Sequence, residues 1–254
     1  MLKFITLVLS AWFALLGVHP NTHAQENQIP IDIVIDENFA PYTIRLSDGS
    51  YGGLYVDIVR AALKAQGINY KIVGRPWKRV VHLTDMAVVD ATIPWRAKEE
   101  RFKKYHMVGP ITKEGARTVF WARIDFSKQS WDDLSEFSNY LIGSISGYAY
   151  PDAFEKADFL RKAPVTADND VLVKQLLSGR TDMIIGDEHV LRAEASGLGL
   201  LQQFKQVGKP LDVVKRYIAV PKSKPMVAEK LQQAMDAFHQ SEEYGKILRQ
   251  YRGR

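Results

Sequence analysis

The sequence predicts an α/β protein of two lobes, each a mainly parallel sheet flanked by helices, joined by two crossings. Three observations carry this expectation. Strands alternate with amphipathic helices from residue 31 onward, the alternation restarts after residue 130, and two β-rich segments, 118–122 and 213–220, bracket the restarted stretch. A chain that leaves one unit, completes another and returns divides as 25–122 plus 216–254 for a discontinuous first lobe and 123–215 for the second.

Taken in order, residues 31–35 (IDIVI) form a strand, and 56–66 an amphipathic helix stopped by Gly67, the residue type that accepts a left-handed backbone just past a helix end. Residues 69–73 form a strand and 77–86 a helix. Residues 90–93 form a strand that turns at Pro94-Trp95, and 98–104 a short helix before MVGPI. Past the β-rich run 118–122, Ser130 opens a Ser-x-x-Asp arrangement resembling a helix cap. Strands at 140–145 and 182–185 alternate with helices at 150–156, 168–178 (stopped by Gly179) and 188–196 (stopped by Gly197). Residues 213–220 form a strand ended by Pro221. In the helix that follows, Val227, Leu231, Ala234 and Phe238 share one face, and SEEYGKILRQY closes the chain as a short helix.

The N-terminus has the order of a cleavable signal peptide, residues 1–24: Lys3, an apolar run from residue 4 to 18, then the small-residue stretch Thr22-His23-Ala24. That run is short for a membrane span, and no second apolar stretch of spanning length follows. With no cysteine, the chain has no disulfide framework, thiolate metal site, cysteine nucleophile or lipid-anchored cysteine. An exported, unanchored chain starting at Gln25 fits the periplasm of a bacterium with two membranes. The net charge of +5 is mild and spread along the chain, unlike the dense basic stripe of a nucleic-acid binder.

Several chemistries fail on spacing. GSISG, residues 143–147, has Ile145 where a nucleophile elbow needs serine. His82, His106, His189 and His239 lack the close helical spacing of zinc motifs, and no glycine-rich phosphate loop is present, so neither metal nor cofactor is expected.

What remains are aromatics and charges near strand ends, where open α/β sheets bind ligands. Phe39 and Tyr42 follow the first strand, Trp77 the second and Trp95 the third. Arg96 and Arg101 come next. Each is either a solvated cation or a two-pronged grip on a carboxylate. Asp187 follows DMIIG and is either a helix N-cap or an acceptor for a ligand ammonium. Ser146, Gly147 and Tyr148 end a strand before a helix, where backbone donors favour an anion.

Three blocks in order resemble the type II periplasmic solute-binding proteins, in particular the family that binds polar amino acids for ABC import: NFAPYTIRLSDGSYGGLYVDIVRAAL, DATIPWRAKEERFKKYHMVGPI and LVKQLLSGRTDMIIGDEHVL. The resemblance spans nearly the whole mature chain. It implies that Phe39 stacks on the ligand, that Arg101, ending AKEER, binds an α-carboxylate, and that Asp187 binds an α-amino group. It also implies a monomer serving an inner-membrane ABC permease. Pro94, Trp95 and Arg96 stand where small hydroxyl or amide residues are usual, and Tyr148-Ala149 where Ser or Thr is usual. These departures, with the basic segment RPWKR, weigh against a standard amino acid.

The expected function is therefore capture of a small polar or zwitterionic solute without catalysis. Two alternatives share the resemblance. One is a sensory partner of a membrane receptor; the other is a periplasmic cyclohexadienyl dehydratase, which needs a positioned acid such as Glu37, Glu100 or Glu188.

Overall fold

The computed structural model describes residues 29–251, so the expected signal peptide and mature start lie outside the described residues. The chain begins with β1 (Ile31–Asp36), β2 (Ile44–Arg45), β3 (Tyr51–Gly52), α1 (Leu54–Ala65), β4 (Tyr70–Arg75), α2 (Trp77–Asp85), β5 (Ala91–Arg96), α3 (Glu99–Lys104) and β6 (Tyr105–Val108). A second series follows: β7 (Ala116–Arg123), β8 (Leu141–Gly143), α4 (Asp152–Glu155), β9 (Arg161–Lys162), α5 (Asn169–Leu177), β10 (Met183–Asp187), α6 (Glu188–Gly197), β11 (Phe204–Gln206) and β12 (Asp212–Val214). β13 (Arg216–Pro221), α7 (Pro225–His239) and α8 (Glu242–Tyr251) complete the chain.

Two sheets result. The first runs β4-β1-β5-β13-β6, and the second β11-β7-β10-β8-β9, with β12 also on β7. Each is mixed: β1 is parallel to β4 and β5, and β8 to β9 and β10, whereas β13 and β7 run antiparallel to their neighbours. The antiparallel members are the strands that lead into and out of the second unit. β7, expected in the first lobe up to residue 122, pairs instead with β10, β11 and β12 in the second sheet. The single strand expected over 213–220 is two strands in different sheets, meeting at Lys215. A continuous β-rich run hides such a break, because each half alternates normally within its own sheet.

Local chemistry explains the main elements. Tyr55, Val56, Ile58, Val59, Ala62 and Leu63 recur at helical spacing and are buried along α1, and Gly67 takes φ 62° past its end. Gly53 precedes α1 at φ 102°, and a Cβ there would sit 2.6 Å from the Tyr42 carbonyl oxygen, so only glycine lets the loop carrying Tyr42 pack so closely. β5 is buried at every position, as a central strand covered on both faces must be, and it continues through Pro94 and Trp95 rather than turning there. The cap expected at Ser130 falls at Asp133, which forms a capping box with Glu136 around a short 3-10 turn. Gly197 ends within α6, and Gly199, at φ 71°, makes the stop.

Each sheet has apolar clusters on both faces. Ile33, Ile35 and Ile93 pack with α1 and α7 on one face of the first sheet, while Val34, Trp77 and Trp95 pack on the other. In the second sheet, Phe120, Phe137 and Ile142 lie on one face, and Trp121, Leu172 and Ile184 on the other. Tyr148 touches all four clusters, which places it where the two units meet.

Candidate functional site

Strand ends from both sheets converge on a cleft. β1 delivers Asp36, β5 delivers Arg96, β10 delivers Asp187, and β13 starts with Arg216; all four line it. Phe39, Trp77, Arg101 and Tyr148, all expected at the site, line it as well. The cavity it leaves is small, about 30 Å³.

Two expected residues stand elsewhere. Trp95 is 2% exposed and lies under the cleft floor, its indole N–H donating to Thr92 Oγ1 at 2.8 Å and its ring against Trp77 and Tyr105. Pro94 and Arg96 face the cleft while Trp95 turns to the side of Thr92, where the pairing of β5 with β13 shifts register. Tyr42 sits behind the floor, stacked on Tyr55 with centroids 4.3 Å apart, and its hydroxyl donates to Asp187 Oδ1 at 3.3 Å.

The arginines differ in their commitments. Arg96, 4% exposed, is paired with Asp212 and donates to Thr118 Oγ1 at 3.0 Å, so it braces the first sheet against the second. Burial lowers its pKa, an effect Asp212 opposes. Arg216 approaches Asp187 Oδ2 at 3.4 Å and lies over the Phe39 ring, 5.2 Å from its centroid. Arg101 has no acid within 4.0 Å among the described residues. It donates to the Arg96 carbonyl at 3.2 Å and lies 4.8 Å from the Trp95 ring centroid. Burial, helped by Arg216, pulls its pKa down to about 10, and Glu100 opposes the shift.

On the acidic side, Asp187 is the N-cap of α6, its Oδ1 accepting from the backbone N–H groups of His189 and Val190. Of the two readings of that residue, the helix cap is the one these bonds realise. Asp36, 1% exposed, was not anticipated. It accepts from the Asn38 N–H at 3.1 Å and the Tyr148 hydroxyl at 2.9 Å, and burial pushes its pKa up to about 6. Position was the missed signal, since Asp36 ends a strand immediately before ENFAPY. Glu37, Glu100 and Glu188 do not line the cleft, and Glu188 instead lies 2.6 Å from Arg117 Nε.

Of the backbone anion site expected at 146–148, one donor is committed and no long helix follows. The Ser146 N–H is spent on the Thr166 carbonyl at 2.7 Å, and the helix that follows starts only at Asp152 and has four residues. Gly147 serves differently, taking φ 78° and accepting from the Trp77 indole N–H at 2.7 Å across the cleft. Asn38 donates to Asp168 at 2.9 Å, and Asn169 to the Asn38 carbonyl at 2.9 Å, adding two more bonds between the units.

Solved structures share this architecture. An ancestral arginine-binding protein bound to glutamine is similar at TM-score 0.76 and 19% identity, over 89% of this chain and 98% of that one. The P235GK mutant of ArgBP from T. maritima is similar at TM-score 0.75 and 18% identity, over 88% and 95%. A histidine kinase sensor domain with similarity to periplasmic binding proteins reaches TM-score 0.78 at 15% identity, over 88% and 96%. At these identities the likeness establishes the two-lobed periplasmic-binding-protein fold. No curated protein matches the chain. The model of the bacterial extracellular solute-binding proteins, family 3, matches residues 31–254, and the chain belongs to that family.

Proposed function

We propose that the chain captures a small carboxylate-bearing solute, an amino acid or a related compound, between its lobes in the periplasm and hands it to an ABC permease. The observation that carries this reading is Arg101: a guanidinium lining the cleft, depressed in pKa by burial, and without a carboxylate partner among the described residues. A ligand carboxylate would complete it with paired, charge-assisted hydrogen bonds. Closure would swing about the connections at 109–115 and Lys215, where the chain passes between the sheets. Bonds across the cleft such as Trp77 to Gly147 would then add to the closed state that a bound solute selects.

The test is the melting temperature of the purified protein, refolded to strip carried-over ligand, against a panel of amino acids, small dicarboxylates, polyamines and prephenate. A 1 mM ligand with a dissociation constant of about 1 μM should add roughly 4 kcal/mol and raise the melting temperature by several degrees. No shift from any carboxylate would sink the reading. A sensory role would use the same closure, and likeness to a histidine kinase sensor domain keeps it in view. Stimulation of a reconstituted permease by the liganded protein separates import from sensing.

A further inference from the structure

Arg216 occupies the ground where a zwitterion's ammonium would be read. The resemblance assigns Phe39 to stacking and Asp187 to an α-amino group, and one cation of the chain itself engages both. The Arg216 guanidinium lies 5.2 Å from the Phe39 ring centroid, with Nη2 3.4 Å from Asp187 Oδ2. The other oxygen of Asp187 already accepts from Tyr42 and from two backbone N–H groups. Asp36, the remaining acid lining the cleft, accepts from Asn38 and Tyr148.

The cationic side is by contrast under-matched. Arg216 stands directly opposite Arg96 in the antiparallel register of β13 and β5, a like-charge pairing that costs stability unless anions offset it. Asp212 answers Arg96, Asp187 answers Arg216, and Arg101 has no acid within reach among the described residues. The Arg216 Nε is buried and has no hydrogen-bond partner. A buried donor left unpaired is costly, and an anion beside it removes that cost.

Resting on the solute-binding reading above, we infer that Arg216 converts the amine subsite into part of an anion site, so that the preferred ligand is a small organic acid with no ammonium beside its carboxylate: a 2-oxo acid, a hydroxy acid or a dicarboxylate. Arg216 and Arg101 grip the anion, and Asp187 serves to hold Arg216.

Calorimetric titration of matched pairs tests this: 2-oxoglutarate with glutamate, malate with aspartate, and 3-phenyllactate with phenylalanine. In the unmodified protein the best-bound acid should be at least about tenfold tighter than its amino-acid partner, a difference of ~1.4 kcal/mol. Arg216→Gln, which frees Asp187, should shrink or reverse that ratio, whereas Arg216→Lys should keep its direction. An amino acid bound more tightly than its matched acid overturns the inference and leaves the solute-binding reading standing. A ratio unmoved by Arg216→Gln in a folded variant does the same. Failure of every carboxylate to bind the unmodified protein overturns both.

Discussion

The Tyr148 hydroxyl donates to Asp36 at 2.9 Å, tying the loop after β8 in the second unit to the end of β1 in the first. Asn169 adds a weaker contact to the same hydroxyl at 3.4 Å. The bond puts a buried carboxyl and a fully engaged phenol at the junction of the two lobes. It also gives the fold a pH dependence of definite sign.

Burial raises the Asp36 pKa from 3.8 to about 6, so the folded protein holds its proton over a range where the unfolded chain has lost it. A raised carboxyl pKa means no penalty below pH 4, a penalty that grows between pH 4 and 6, and a plateau above. The limit is about 3 kcal/mol for a shift of roughly two units. Asp36→Asn removes the titration. Its melting temperature relative to the unmodified protein should therefore rise between pH 4 and 6 and then level off. A difference that is flat across this range would contradict the assigned burial.

Trp77 and Gly147 meet only when the lobes are together, through the indole N–H and a carbonyl oxygen 2.7 Å apart. Trp77→Phe keeps the ring and removes the donor. A net hydrogen bond of about 1 kcal/mol lost from the closed state alone should weaken ligand binding roughly fivefold. Small-angle scattering of the ligand-free variant should report a larger share of open molecules. Unchanged affinity and shape would remove this bond from the closing energetics.

Trp95 supports the site without lining it. Trp95→Phe loses the bond to Thr92 and some core volume, so the melting temperature should fall. A phenyl ring still lies beneath Arg101, and because such a contact is worth about 0.5–1 kcal/mol, ligand affinity should change by no more than roughly fivefold. Loss of binding with an unchanged melting temperature would place Trp95 at the ligand instead.

Most of the element order was legible because helical and strand periods leave separate marks, as α1 with its Gly67 stop and the buried IDIVI strand illustrate. The division of 213–220 between two sheets was not, since pairing partners leave no trace in a continuous β-rich run. At the site, position after a strand end found Phe39, Trp77 and Asp187, and the same argument applied to Asp36 would have found it too. The turn expected at Pro94-Trp95 is replaced by continuing strand, and Trp95 is not among the residues that line the cleft. A continuing strand sends Trp95 and Arg96 to opposite faces. Arg216 was invisible: the two basic residues in VVKRYI carry no motif, and only folding sets Arg216 against Phe39 and Asp187.

The most direct test compares Arg101→Ala with Arg123→Ala, each titrated with the carboxylate that most stabilises the unmodified protein. Arg123 bonds the carbonyls of Leu176 and Thr181 and does not line the cleft. Arg101→Ala should cost about 2–5 kcal/mol of binding, thirtyfold or more, as expected when a buried charge pair loses one partner. Arg123→Ala should bind like the unmodified protein. Equal affinity in both variants would contradict the assignment of Arg101 as the ligand's carboxylate grip.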